Sequence, residues 1–567
     1  MSEAAPTKIE PTLVLDPRLT YKASGSRRFG VQRGGALNTW RPITTSTASN
    51  GQITWQNCNP PAPSVALGRQ VLAIVGFDIQ ITGTQTGTDN FYLPDQGYSC
   101  PRYAPLAQVT NNVAINLNGT NFTQNNYQII NAQAHYLSND ASVSNSSLWP
   151  DMPDAAWKYG LFNDNLIGTV GNPLSSYGNS TAHQITRGSF PVIVANTGND
   201  ATHAHLQFYT CEPLFLSPFE INQQEPDGAL IGVQQFTVSI NLQNLLRVWS
   251  WDAETAALDN NREITSMVVN VIANPTLMLN FITPEPTAVI PKSVSYTFKG
   301  VTVYETGPFA IAPGATQTCT TGNVQFNFIP DRIMVFARIQ DTDLNSTSGN
   351  NANAYSLSDY FAAIDGISIT WDNRSGILAE ALPQALYQIA QKNGYNKSWQ
   401  AWTKFLGSVL MLNMSEDVCL NSPAEAPSLQ TTKQFQLTAT LRNLNLDDTV
   451  NYTIYVVTIS DGLMSVGNNT MIVQQSILTP QDILDATTHA TKVEPRISAG
   501  NNFLGGNFTE SLKKFAHKVN KALKDTHAIS QVANAAGYEN VGKFAHSQGY
   551  GLVGGARLKK KHLALKN

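Results

Sequence analysis

The sequence predicts an all-β protein in which two units of the same kind follow one another along the chain. Composition is the first observation: 42% of the 567 residues are hydrophobic and 13% are charged, with 39 Gly and 29 Pro. Such a turn-rich, charge-poor chain argues against a large helical enzyme, a coiled coil and a charge-rich disordered protein. The second observation is a series of short segments whose apolar residues alternate or run continuously, as in strands. The third is an internal repeat.

The internal repeat relates two amphipathic segments in the two halves of the chain. Residues 235–245 align without gaps to residues 434–444, with five of the 11 positions identical. A second predicted strand follows each copy, and an arginine, Arg69 or Arg332, opens a buried strand in each half. The alternative explanation is that any two amphipathic strands resemble one another. Because order, phase and the following strand agree, we favour two tandem eight-stranded jelly-roll barrels, a double jelly roll.

The predicted units divide the chain into four parts. They are an N-terminal arm at residues 1–50, a first jelly roll at 51–283, a second at 284–490 and a basic C-terminal tail at 491–567. Residues 109–200 are rich in Asn, Ser and Gly, which predicts long surface loops. Apolar residues at helical spacing predict one helical insertion near residues 378–406, in the second jelly roll.

The C-terminal tail is predicted to form a basic amphipathic helix over residues 509–536, followed by a short basic cluster. The cationic residues are Lys513, Lys514, Lys518, Lys521, Lys524, Arg557, Lys559, Lys560 and Lys561. Residues 501–567 carry 11 basic and 3 acidic residues, and residues 1–41 carry 7 and 3, so the total charge of −4 conceals an acidic body between two basic ends. Such ends favour contact with nucleic acid, anionic lipid or an acidic partner. The alternative is a helix that packs on its own protein and exposes its lysines.

The sequence predicts no enzyme activity, no cofactor and no metal. Nucleotide-binding P-loop, zinc-protease, esterase and calcium-loop motifs do not occur. The Gly-x-Gly-x-x-Gly pattern at residues 549–554 lacks the preceding strand and the later acidic residue of a dinucleotide site. His203 and His205 could share one face of a strand and bind a metal, but a surface or packed pair is the better explanation. No secretory signal or membrane-spanning stretch is expected.

Two further groups of side chains have the residue types of a chemical site. Carboxylates cluster around the predicted helix of the second half, at Asp359, Asp365, Asp372, Glu416 and Asp417. We interpret them as turn residues rather than as an acid–base pair. Tryptophans occur in two close pairs, Trp249 with Trp251 and Trp399 with Trp402. Core or interface packing explains them better than a sugar-binding or base-binding platform.

A set of segments in fixed order resembles the double jelly-roll viral major capsid proteins. This hexon-like group includes adenovirus hexon and the capsid proteins of virophages, large nucleocytoplasmic DNA viruses and polinton-like viruses. The polinton-like and adintovirus-like proteins are the most similar in character. The segments are residues 53–61, 212–219, 329–336, 366–376 and 387–405. The resemblance covers about residues 50–490, and residues 109–200 have no counterpart in it.

The resemblance implies a structural protein of the virion rather than an enzyme. It implies a homotrimer whose six jelly rolls form a pseudo-hexagonal capsomer, and an icosahedral shell of such capsomers around a DNA genome. Its expected partners are further copies of itself, penton and minor or cement capsid proteins, and genome DNA or an internal membrane at the basic ends. The alternatives are a minor capsid or spike protein of such a virus and a carbohydrate-binding β-sandwich protein.

Overall fold

The structure is a computed structural model that describes most of both predicted β units. It describes residues 12–14, 30–32, 37–84, 99–136, 192–196, 200, 202–219, 229–251, 263–285, 293–344, 361–418, 420, 425–446, 448–467 and 470–475. Strands dominate these residues, and helices are short and few.

The first half of the described chain contains fifteen strands and two α-helices. The strands are β1 (Thr12–Val14), β2 (Gly30–Gln32), β3 (Leu37–Thr44), β4 (Thr47–Ala48), β5 (Gln52–Trp55), β6 (Ala66–Thr84), β7 (Ser99–Pro101), β8 (Thr110–Leu117), β9 (Thr120–Gln124), β10 (Val192–Asn196), β11 (His203–Pro213), β12 (Phe236–Leu242), β13 (Trp249–Trp251), β14 (Glu263–Val271) and β15 (Thr276–Thr283). The helices are α1 (Pro105–Val109) and α2 (Asn126–Ala134), and a 3₁₀ turn spans Leu245–Val248.

Two sheets of the first half contribute buried side chains to one core. One has the order β10–β11–β6–β15–β3, with β14 also paired to β6, and the other has the order β4–β5–β12–β8–β9. Eight of these strands, in chain order, are β3, β5, β6, β8, β9, β11, β12 and β15. Numbered one to eight, they give the spatial orders 1-8-3-6 and 2-7-4-5, which is the double Greek-key arrangement of a jelly roll.

The second half repeats this arrangement. Its strands are β16 (Ser293–Ile311), β17 (Thr316–Thr320), β18 (Val324–Phe326), β19 (Arg332–Ile339), β20 (Ala363–Trp371), β21 (Arg374–Ile377), β22 (Val409–Asn413), β23 (Lys433–Arg442), β24 (Val450–Gly467) and β25 (Thr470–Gln475). The sheets have the orders β16–β24–β19–β22 and β17–β23–β20–β21, with β25 beside β24 and β18 beside β23. With β17 and β18 counted together as the second strand, the orders are again 1-8-3-6 and 2-7-4-5. The predicted all-β double jelly roll is therefore confirmed.

The sequence repeat coincides with equivalent strands of the two jelly rolls. Its two copies form β12 and β23, the seventh strands, and alternate side chains of both are buried, as expected of a strand with one face on the core. Arg69 lies in β6 and Arg332 opens β19, which are the third strands. In the first half the eighth strand is interrupted, because β14 and β15 follow one another along the same edge of β6.

The structure differs from the predicted segment boundaries in three places. Residues 37–48, assigned to the N-terminal arm, form β3 and β4 in the two sheets of the first jelly roll. Residues 109–136 were expected to be surface loop, but they form β8, β9 and α2, and α2 is largely buried. The helix expected near residues 378–406 is a ten-residue α-helix, α3 (Pro383–Lys392), followed by a separate π-helical turn at Ala401–Phe405.

Candidate assembly surface

The two jelly rolls meet in a contact that we call the seam. On the side of the first jelly roll, the seam is formed mainly by α2, which follows the edge strand β9. Ile129, Ala132 and Tyr136 from this region belong to the core of the second jelly roll. The Tyr136 hydroxyl donates a hydrogen bond of 2.6 Å to the carbonyl oxygen of Val409. The helix of one roll is therefore part of the core of the other.

The exchange is reciprocal, because β16 of the second jelly roll enters the core of the first. Tyr296 and Phe298 are buried there, with the Phe298 ring 5.2 Å from the ring of Phe122. The Tyr296 hydroxyl donates to the carbonyl oxygen of Ala229 at 2.9 Å and accepts from the amide of Ile231 at 2.8 Å. A large apolar contact of this kind holds two domains in one relative orientation.

An ionic group centred on Asp341, whose side chain is 30% exposed, also crosses the seam. Arg247 of the first jelly roll is fully buried, and its Nη1 lies 2.6 Å from Oδ1 of Asp341 in the second. The remaining Arg247 nitrogens donate to the backbone oxygen and the side-chain oxygen of Gln108, at 3.1 and 3.0 Å. Arg338, which is 4% exposed, lies 3.8 Å from the same carboxylate and donates to the carbonyl oxygen of Tyr127 at 2.8 Å. One carboxylate thus lies close to a buried cation from each jelly roll.

His135 lies at the end of α2 inside the seam and is fully buried. Its ring packs edge-on against Phe361, at 5.2 Å, and lies 5.8 Å from the ring of Tyr395. Burial, with a smaller effect of the Lys397 charge, lowers the pKa of His135 from 6.5 to about 3. Among the described residues neither ring nitrogen has a hydrogen-bond partner, so the neutral imidazole acts here as an aromatic packing group.

Beside the seam, two edge strands face each other across an open cleft of about 310 Å³. Residues 120–124 of β9 line one side and residues 298–302 of β16 line the other. The side chain of Gln128 in α2 donates to Glu305 of β16 at 3.2 Å, next to this cleft. In this region the seam joins the first strand of one roll to the fifth strand and following helix of the other.

Several large apolar side chains are exposed outside the seam. On β3, Leu37 is 64% and Trp40 is 40% exposed, and residues 37–42 are exposed on both faces of the strand. Leu382, directly before α3, is 69% exposed, and Leu446 in the loop after β23 is 77% exposed. Exposed apolar groups that cluster on one surface are candidates for contacts with other chains.

The predicted basic residues of the tail, from Lys513 to Lys561, lie outside the described residues, as does the glycine pattern at residues 549–554. Their proposed contacts therefore stay predictions. Within the described part of the chain, no helix is both long enough and apolar enough to cross a membrane.

His203 and His205 contact two different carboxylates. Nε2 of His205 lies 2.5 Å from Oδ1 of Asp78, whereas His203 contacts Asp200, with its Nδ1 3.1 Å from Oδ1. Burial acts to raise the pKa of Asp78, but hydrogen bonds from His205, Gln207 and Gln80 outweigh it and lower the pKa. Among the described residues, no cluster of three or more His, Cys, Asp or Glu side chains could hold a metal ion.

The carboxylates weighed as acid–base candidates are paired with cations. Asp365 lies 2.9 Å from Arg442, and Lys392 lies 2.7 Å from Glu416 and 3.6 Å from Asp417. Lys433 bridges Asp372, at 2.6 Å, and Glu425, at 2.5 Å. Asp359 lies outside the described residues. These pairs connect neighbouring strands and loops, which is a structural role.

The tryptophans agree with the packing interpretation. Trp249 and Trp402 are buried in the cores of the first and second jelly rolls, so neither can serve as a platform for a sugar or a base. Trp399 is partly buried and packs against the second core. The structure describes the backbone of Trp251 in β13 and not its side chain.

Comparisons with known proteins match both halves of the chain. The family model described as Sputnik virophage major capsid protein 1st domain matches residues 7–282, and the model described as Major capsid protein V20 C-terminal domain matches residues 299–405. A Sputnik virophage protein that bears the name capsid protein V20 is 28% identical, with 97% of each chain covered.

Solved structures of other chains are also similar to this chain. A chain of the Sputnik virophage, from its 3.5 Å cryo-EM structure, is 26% identical with a TM-score of 0.71, over 88% of this chain and 98% of that one. The mavirus major capsid protein, known from a crystal structure, is 16% identical with a TM-score of 0.62, over 87% and 100% of the two chains. At this identity the second match shows the fold alone.

Proposed function

Because the chain belongs to the double jelly-roll viral major capsid proteins, we propose that three copies assemble into a pseudo-hexagonal trimer, the capsomer of an icosahedral shell. The protein is a structural component of the capsid and its place is the virion. We propose in addition that the shell of these trimers packages a DNA genome.

One observation carries the trimer: a single chain presents the same jelly roll twice, in one fixed orientation. Both rolls have the strand orders 1-8-3-6 and 2-7-4-5, and side chains of each roll are part of the other's core. Three such chains in a closed ring place six similar units around one axis. The resulting particle has a hexagonal outline and can pack in a hexagonal lattice. Closed cyclic symmetry is the common solution for chains that bind their own copies.

Light scattering on purified protein at micromolar concentration tests this proposal. We expect a mass about three times the chain mass of 61.6 kDa, and images of the particles should show a six-sided outline. A chain that stays monomeric at this concentration, or that forms a dimer, would contradict the trimer.

We also propose that the basic tail, residues 491–567, contacts an anionic partner on the inner side of the shell. Its support is charge: 11 basic against 3 acidic residues in 501–567, on an otherwise acidic protein. Phosphates of the genome or of lipid headgroups are the shared chemistry, and attraction of this kind weakens steeply with salt. Penton and minor or cement proteins are the other proposed partners of the capsomer.

Deleting residues 501–567 is expected to leave the trimer folded and to reduce shell assembly. Replacing Lys513, Lys514, Lys518, Lys521 and Lys524 with Gln should remove most of the binding to DNA or to anionic vesicles in low salt, whichever the tail prefers. Replacing the same five residues with Arg should retain it, because the charge is kept. Loss of the trimer itself on truncation would instead indicate a helix that packs on its own protein.

A further inference from the structure

The two jelly rolls carry equivalent edge elements, because they share one strand order. The first strands, β3 and β16, lie at the edges of equivalent sheets, and the fifth strands, β9 and β21, lie at the edges of the other two. A helix follows each fifth strand, α2 after β9 and α3 after β21. Each surface that one roll contributes to the seam therefore has a counterpart on the other roll.

The seam uses only one member of each pair. The first strand of the second roll, β16, faces β9 and α2 of the first roll, across the cleft and through the hydrogen bond from Gln128 to Glu305. The amide of Lys299 in β16 also donates to the hydroxyl of Ser217, at 3.1 Å. The counterparts that this contact leaves unused are β3 of the first roll and β21 with α3 of the second.

Both unused counterparts carry exposed apolar side chains. Within the described residues no strand pairs with the outer edge of β3, and both faces of residues 37–42 are exposed. Leu37 and Trp40 lie on this strand. On the other surface, Ser375 and Gly376 of β21 are exposed, and Leu382 before α3 is 69% exposed. A strand with two exposed faces and one unpaired edge can bind a partner through both its side chains and its backbone.

The positions of β3 and β16 can be matched residue by residue through the strand pairing in each jelly roll. The starting point is Arg69 and Arg332, which lie in the equivalent third strands. Two positions after each arginine, Val71 and Met334 pair with Leu279 and Val457 of the eighth strands. These in turn pair with Arg41 of β3 and Val303 of β16. Trp40 is then the counterpart of Thr302, which lines the seam cleft. The exposed part of β3 thus matches residues 299–304 of β16, which include cleft-lining residues, whereas the positions that match Tyr296 and Phe298 lie outside the described residues.

We infer that the seam is repeated between copies of the chain. β3 of one copy docks against β21 and the start of α3 in the second jelly roll of the next copy, so that Leu37 and Trp40 cover Leu382. Charge is complementary as well, since Arg41 on β3 and Glu380 beside Leu382 are both exposed. This inference rests on the proposed trimer, and it assigns the surfaces that close the ring of six jelly rolls.

The effect of removing these side chains on trimer stability is measured by diluting the full-length protein and recording the particle mass at each concentration. Trp40→Ala and Leu382→Ala should each weaken the trimer at least about tenfold, because central apolar anchors dominate such contacts. Leu446→Ala removes an equally exposed leucine from neither surface and should leave the trimer unchanged. The melting temperature of dissociated chains should stay the same in all three variants, because each side chain is exposed.

Charge reversal tests the pairing of the two surfaces directly. Arg41→Glu and Glu380→Arg should each weaken the trimer, and the double variant should regain most of the loss. If the wild-type protein is trimeric and Trp40→Ala, Leu382→Ala and both reversals all leave the trimer as stable as before, this inference is wrong while the trimer stands. If the wild-type protein is itself monomeric, the proposed function fails first.

Discussion

Replacing Asp341 with Asn is expected to lower the free energy of unfolding by about 1.5–3 kcal/mol, because it removes the negative charge that lies 2.6 Å from the buried guanidinium of Arg247. Arg247 is fully buried and reaches this carboxylate across the seam at 2.6 Å, whereas Arg338, which is 4% exposed, lies 3.8 Å from it within the second jelly roll. The Asn side chain can still accept a hydrogen bond from Arg247, but it cannot neutralise the charge. Because the two arginines come from different jelly rolls, the loss falls on the contact between the rolls.

Denaturation in guanidinium chloride measures this effect, with Glu305→Gln as a matched control. Glu305 is also a carboxylate that crosses the seam, but it is exposed, so its neutralisation should cost no more than about 0.5 kcal/mol. The double variant Arg247→Met with Asp341→Asn should be more stable than Asp341→Asn alone, since a buried methionine needs no counter-charge. Asp341→Asn within about 1 kcal/mol of the wild-type protein would show that the group does not stabilise the seam.

The strands of the sequence repeat were predictable because one face of each strand packs against a core and the opposite face is partly exposed. Buried and partly exposed side chains alternate along all of β12 and from Phe435 onward in β23, and this alternation is visible in the sequence. β3 has no such alternation, because residues 37–42 are exposed on both faces. It was therefore assigned to the N-terminal arm, although it lies in a sheet of the first jelly roll.

The helices were harder to predict, for opposite reasons. α2 is buried on most of its surface, so its apolar residues do not form a stripe at helical spacing, and the sequence predicts surface loop there. In the second jelly roll the stripe of α3 was visible, but the predicted helix was too long. Asn393 follows the last residue of α3, and the separate turn at Ala401–Phe405 places Trp402 in the core.

The seam could not be predicted from the sequence, because its contacts join residues that are far apart along the chain. Arg247 and Asp341 are 94 positions apart, and Tyr136 and Val409 are 273 apart. Nothing local distinguishes a buried arginine from an exposed one. The family resemblance supplied the expectation of two joined jelly rolls, and only the structure shows which side chains join them.

Two buried titratable groups should affect stability in opposite directions as the pH falls from 7 to 5. Burial raises the pKa of Glu212 to about 7, against hydrogen bonds from the amides of Leu106 and Ala107 and the hydroxyl of Thr210, at 2.7, 2.9 and 2.7 Å. The folded protein therefore takes up a proton at Glu212 before the unfolded chain does, and stability rises by about 2 kcal/mol over this range. Below the ordinary pKa of 4.5 the gain is complete.

His135 acts in the reverse sense, since its folded pKa of about 3 lies below the ordinary value of 6.5. The unfolded chain takes up this proton first, so stability falls as the pH drops below 6.5, by about 2 kcal/mol at pH 5. The two groups nearly cancel in the wild-type protein, and single variants should separate them. Between pH 7 and 5, relative to wild type, Glu212→Gln should lose about 2 kcal/mol in denaturation experiments and His135→Phe should gain about as much. Parallel pH profiles for the three proteins would show that neither group is coupled to folding in this way. Because other titrating groups contribute equally to all three proteins, these differences in slope report on Glu212 and His135 alone.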